Sequence, residues 1–165
     1  MSTQPLSSLV PRELTELRYR PLIDFQIEVK PPSVIGATPG YDRRIGEIAG
    51  GRFEGERLRG TNLSGGSDWQ SLRSDGATTI NVRLVLKTDD GALIAMRYFG
   101  VRHGPAEVLE RIARGDSVNP SEYYMRVTAR FETAAEKYDW LNRIVTVALG
   151  HRIPGGAIYH VFEIQ

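Results

Sequence analysis

Apolar and polar residues take turns along several stretches of this chain. In residues 19–30, Ile23, Phe25, Ile27 and Val29 alternate with Asp24, Gln26 and Glu28, the period-two pattern of a strand with one buried face. The pattern returns in residues 122–131, where Tyr123, Met125, Val127, Ala129 and Phe131 interleave with Tyr124, Arg126, Thr128 and Arg130. Residues 142–149 and 157–164 read as two closing strands separated by Pro154-Gly155-Gly156. Residues 43–102 are broken every few positions by glycine. Short strands are predicted at 43–48, 52–53 and 58–63 and from 68 onward, with Gly50-Gly51, Gly55 and Gly60 marking bulges or the tight bends of a barrel. One helix is predicted over residues 105–114. Pro105 suits its first turn, Val108, Leu109 and Ile112 share a face, and Gly115 closes it.

The clearest hairpin lies in residues 80–100, where two strand-like runs flank Asp90-Gly91. Asp-Gly favours a two-residue type I′ turn. That loop would set Asp89 opposite Ala92, Val85 opposite Met96 and Arg83 opposite Tyr98. On this register both faces of residues 80–86 are apolar. Ile80, Val82, Leu84 and Leu86 lie on one, and Val85 with Met96 and Ile94 on the other. The expectation is a mainly β chain: a single antiparallel β-barrel of roughly eight to ten strands with one short helix. Residues 1–14 read as a flexible arm and residues 15–165 as the barrel domain. An apolar outer strand face beyond the reach of one helix predicts a homodimer.

Composition removes several function classes. The chain has 165 residues with 21 basic and 20 acidic side chains, a net +1 that offers no footprint for nucleic acid. It has no cysteine, hence no disulfide framework or thiolate site. Neither a signal peptide nor a membrane span is predicted, so the expected location is the cytoplasm. Glu56-Arg57 stands where a phosphate-binding loop after Gly50 would need Lys-Ser/Thr. His103, His151 and His160 form no ligand motif, and no metal or cofactor is expected. There is no nucleophile elbow.

Three polar features remain. Asp68-Trp69 follows a glycine turn and reads either as a turn carboxylate with a core tryptophan, or as an acid/base beside an aromatic wall, where desolvation raises a carboxylate pKa. Arg83, opposite Tyr98 in the inferred register, is either a surface arginine over a ring or a buried partner for an anion. Tyr124 and Arg126 share a strand side, which is either a polar outer face or an inward one beside Arg83.

The run GGRFEG-x-x-L-x-G-x-x-L-x-GGSDW, followed by TDDGALI, resembles the family known as domain of unknown function 3237. Tyr124-Met125-Arg126, Phe131-Glu132-Thr133 and residues 138–142 (YDWLN) extend the resemblance. It implies a compact antiparallel barrel with an interior sized for a small molecule, and little about chemistry. The residues and the resemblance together give a small-molecule-binding barrel. One reading is a cofactor-independent isomerase, cyclase or lyase acting by acid–base chemistry on a phenolic, lactone or enol substrate. Asp68 and Tyr124 would be catalytic, with Trp69, Arg83, Tyr98 and Arg126 binding substrate. The alternative is a non-catalytic, calycin-like carrier, and a third reading is a purely structural or interaction protein.

Overall fold

A computed structural model describes residues 4–165. Its strands are β1 (Tyr19–Val29), β2 (Ser33–Ala37), β3 (Asp42–Glu54), β4 (Arg59–Asn62), β5 (Ser67–Leu72), β6 (Thr78–Thr88), β7 (Leu93–His103), β8 (Tyr124–Glu132), β9 (Val145–Ile153) and β10 (Gly156–Ile164). The sheet runs β1-β10-β9-β8-β7-β6-β4-β3 and closes by pairing β1 with β3. β5 bridges β3 and β6 beyond the end of β4, so the two short strands share one position around the barrel. β2 pairs with β3 outside the closed ring. The antiparallel barrel is therefore as expected, with the arm ahead of it forming two exposed 3-10 turns, Leu6–Leu9 and Arg12–Leu14.

Long strands bend where glycine permits it. β3 changes partners around Gly50-Gly51, pairing with β5 up to Glu47, with β1 from Ile48 onward and with β4 from Arg52. Gly51 has φ 137°, and a Cβ there would meet the Gln26 carbonyl oxygen at 2.1 Å. Asn62 braces the corner, donating from Nδ2 to the Gly50 carbonyl at 2.7 Å. On the opposite wall, a Cβ at Gly100 would sit 2.0 Å from the Arg126 carbonyl oxygen and 2.6 Å from Val127 Cγ1. Because the first obstacle is backbone, Gly100→Ala is expected to cost about 1–3 kcal/mol, measured by urea or thermal melts.

The interior holds one continuous core. Phe25, Phe53, Val82, Leu86, Ile94, Tyr98, Met125 and Val161 are all at most 2 % exposed. The 3-10 segment Glu136–Arg143 covers the end at which β8 finishes, burying Tyr138 and Leu141. At that end Glu163 accepts from Arg20 Nε at 2.9 Å and from Arg57, whose guanidinium lies over the Trp140 ring. Burial pushes the Glu163 carboxyl up, but the two arginines outweigh it and hold its pKa below the ordinary value. Helix α1 (Ala106–Arg114) follows the opposite end of β7 and buries Val108 and Ile112, with Gly115 as its left-handed cap.

The hairpin register differs from the expected one by one residue. Its turn has three residues, not two: Gly91 N–H donates to the Thr88 carbonyl at 2.9 Å, and Gly91 is left-handed at φ 90°. This is a type I turn followed by a glycine bulge. A type I′ turn would need positive φ at Asp90, and among the described residues only glycines have it. The Asp90 carboxylate instead accepts from the Thr88 hydroxyl, Tyr138 and Lys137. Arg83 therefore faces Arg97, Val85 faces Ala95, and Tyr98 faces Val82.

That step moves side chains between faces. Ile94 and Met96 join Ile80, Val82, Leu84 and Leu86 inside, and the outer face of β6 carries Asn81, Arg83, Val85 and Lys87. On β6 itself only Val85 among these outward residues is a large apolar side chain. Other exposed apolar side chains lie on β7 (Leu93, Phe99), on β9 and β10 (Val145, Leu149, Ile158), on β2 (Val34, Ile35) and ahead of β1 (Leu6, Leu9, Leu14, Leu17). No helix among the described residues is long and apolar enough to cross a membrane.

Candidate functional site

Three strand faces carry polar groups into the end of the barrel nearest α1. On β5, alternation sends Asp68 and Gln70 inward; they pair across the ladder with Gly46 and Arg44 of β3. On β7 the inward series is Tyr98, Gly100, Arg102, and on β9 it is Ala148, Gly150, Arg152. Tyr159 of β10, opposite Gly150, completes the group. Gly150 makes room for it, since a Cβ there would lie 2.7 Å from Tyr159 Cε1.

Asp68 is 5 % exposed. Its Oδ2 accepts from Gln70 Nε2 at 2.7 Å, and its Oδ1 is buried with no partner. Burial raises the Asp68 pKa above the ordinary carboxylate value, against the opposing pull of Gln70, Arg102 and Arg152. Tyr98 and Tyr159 stand edge to face with ring centroids 5.2 Å apart. Burial raises both hydroxyl pKa values, so each stays protonated well above neutral pH. Burial also lowers the Arg102 pKa, and the nearby Arg152 charge adds to the effect. Nearer the mouth, Arg44 Nη2 lies 3.6 Å from Asp42 Oδ2. Tyr123 ties the wall together, its hydroxyl 2.9 Å from His151 Nδ1 and accepting from the Arg152 backbone N–H at 2.7 Å.

Six side-chain atoms in this end are buried without a hydrogen-bond partner: Asp42 Oδ1, Arg44 Nε, Asp68 Oδ1, Tyr98 Oη, Arg102 Nε and Arg152 Nε. Buried polar atoms are nearly always paired, so a cluster of orphans from four strands is unusual in a finished core. A cleft of about 180 Å³ between the C-terminal end of α1 and the β9–β10 turn reaches Arg152 from outside. Among the described residues no three His, Asp or Glu side chains gather as a metal site.

Of the six residues the sequence pointed to, only Asp68 and Tyr98 meet here. Trp69 follows Asp68 and so points outward, 47 % exposed, donating from its indole N–H to Ser67 Oγ at 3.1 Å. Arg83 lies outside because of the three-residue turn. Tyr124 and Arg126 also face outward, because Tyr123, Met125 and Val127 take the core side of β8. Tyr124 stacks on His103 with centroids 4.9 Å apart, and Arg126 lies over the Tyr124 ring. The six therefore do not form one site. Arg102, Arg152, Arg44 and Tyr159 take the places given to Arg83, Arg126 and Tyr124. Each continues an inward alternation that the sequence already displays.

The chain is 32% identical over 153 residues to a UPF0311 protein of Clostridium acetobutylicum, covering 92% of this chain and 97% of that one. A β-barrel-like protein from Acinetobacter baumannii AYE has a crystal structure that superposes with a TM-score of 0.80 at 39% identity, covering 91% of this chain and 97% of that one. A protein from Penicillium herquei whose crystal structure is described as that of an enzyme superposes with a TM-score of 0.68 at 17% identity, over 100% of both chains. That last likeness is one of fold. A family model described as a protein of unknown function (DUF3237) matches residues 17–164, and on that match and these relatives the chain belongs to the DUF3237 family.

Proposed function

We propose that the polar end of this barrel binds a small oxygenated organic molecule bearing an anionic group or an enolate, and moves a proton on it without a cofactor. The six unpaired buried atoms carry this reading. Leaving such groups unsatisfied costs about 1–3 kcal/mol each, and a ligand that pairs them recovers much of that. The sign of the ligand follows from charge. One carboxylate, Asp68, stands against Arg102 and Arg152, so the inner group prefers an anion.

The roles follow from the same geometry. Arg102 and Arg152 orient the anionic group or hold charge developing on a carbonyl oxygen, and the Tyr98 hydroxyl donates to it. Asp68, desolvated and held by Gln70 on one oxygen only, presents Oδ1 to the substrate as general acid or base. Isomerisation, cyclisation and elimination next to a carbonyl all need this one transfer. The P. herquei enzyme has a barrel of the same form, which is compatible with catalysis but does not identify it.

The test is a panel of phenolic, lactone and enol compounds, scored by thermal shift and by conversion of the compound. The expected result is a set of anionic compounds that raise the melting temperature, some of which are transformed. Binding without conversion of any compound would return the protein to the carrier reading. A failure of all such compounds to bind would remove the site.

A further inference from the structure

We propose that a second site on the outer wall, independent of the barrel interior, binds a small polyanion. Its core is a row of three arginines. Arg83 of β6 lies directly opposite Arg97 of β7, which lies directly opposite Arg130 of β8. All three are exposed on the outer face. Neighbouring strands are about 4.8 Å apart, so the row places three guanidinium stems side by side across roughly 10 Å.

Like charges directly opposite in a sheet destabilise it. Here two such pairs are adjacent, and among the described residues none of the three arginines forms an ion pair, although ten ion pairs occur elsewhere. Glu132 is on the same face, two residues from Arg130, and it too remains outside ion-pair distance. Among the described residues no ion pair offsets the repulsion, and Glu132, which lines the same groove, is one carboxylate against three guanidinium groups.

The row is also part of a concave surface. A groove of about 510 Å³ is lined by the three arginines, by Val85, and by Gly65 and Gly66 of the turn before β5. A volume of this size suits a small molecule rather than a flat protein contact. Gly66 brings the turn close, since a Cβ there would meet the Arg83 carbonyl oxygen at 2.7 Å. Charge fixes the class of ligand and spacing fixes its shape: two or three phosphate or carboxylate groups in a short line, each taken by one guanidinium.

Calorimetric titration with inorganic tripolyphosphate and with tricarballylate tests this and separates phosphate from carboxylate ligands. Orthophosphate and acetate are the single-centre controls. The expected result is saturable one-to-one binding of at least one polyanion, tighter than either control and weakened by added salt. Arg97→Gln, which removes the central group, should weaken that binding roughly ten- to a hundredfold. It should also raise the melting temperature of the unliganded protein by relieving the repulsion. Arg97→Lys keeps the charge and should fall between. Arg102→Met, inside the barrel, should leave polyanion binding unchanged. The proposal is overturned if no polyanion binds stoichiometrically, if Arg97→Gln binds as well as wild type or melts lower without ligand, or if Arg102→Met abolishes the binding. Failure of the interior site leaves these readouts unaffected.

Discussion

Asp68→Asn is expected to lower turnover of a transformed compound by about 10²–10⁴-fold, the usual contribution of a positioned general acid or base. The fold should survive, because asparagine keeps the size of the side chain and an oxygen that can accept from Gln70. The same change gives a second signature that needs no substrate. Burial raises the Asp68 pKa, so between the unfolded value, about 3.9, and the higher folded value the native chain holds the extra proton. Stability then falls as pH rises through that interval, and the cost of the buried carboxylate is complete above it. Asparagine has no such charge. Its advantage in melting temperature should therefore vanish below the unfolded pKa, grow through the window and level off beyond the folded pKa. Wild-type and Asp68→Asn melting curves that shift in parallel at every pH would show that Asp68 is not a desolvated acid. Full turnover by the variant would show that it is a structural residue.

Arg102→Met and Arg152→Met are each expected to weaken binding of an anionic ligand by about 1.5–3 kcal/mol, roughly ten- to a hundredfold in affinity. Methionine fills much of the arginine stem, so the loss should be specific to charge. A neutral compound of the same shape should bind both variants as it binds wild type. Arg102→Met has a further effect, because Arg102 lowers the Asp68 pKa. Without it the carboxyl should hold its proton to still higher pH, and the pH profile of turnover should move in the basic direction. Arg126→Met, on the outer face of β8, is the control and should change neither quantity. An equal effect from Arg126→Met would mean that the ligand binds outside the barrel.

The sequence disclosed the architecture because alternation and glycine carry local physical information. The inward series of β1 and β8 were readable residue by residue, and Gly50-Gly51 was readable as a corner. The site was less legible because it depends on parity. At Asp89-Asp90-Gly91 the choice between two and three loop residues rests on whether Asp90 adopts positive φ. The contacts that keep it from doing so come from Lys137 and Tyr138, almost fifty residues away. One residue of loop length sent Arg83 outside and Tyr98 inside. Tyr98 entered only as the supposed neighbour of Arg83 and reaches the site by its own inward parity, opposite Val82. Asp68 was legible because a carboxylate after a glycine turn is conspicuous. Arg102 and Arg152 were missed for the opposite reason. Each follows a glycine, Gly100 or Gly150, and a residue without a side chain does not declare a face. Counting in twos from Tyr98 or from Ala148 would have reached both.

The closure of the ring has a consequence for how the chain reaches its native state. β1 is held between β10 and β3, with Tyr19 opposite Ile164 and Phe25 opposite both Tyr159 and Phe53. One of these seams joins residues more than a hundred positions apart, so its loop-closure entropy must be met before its contacts form. Such non-local pairing places folding in the slow range for a domain of this size. On a ribosome, β1 to β9 emerge before the strand that seals them, leaving the edges of β1 and β9 unpaired until β10 arrives. During that interval the growing chain presents open strand edges to its neighbours, and its hazard is aggregation rather than unfolding.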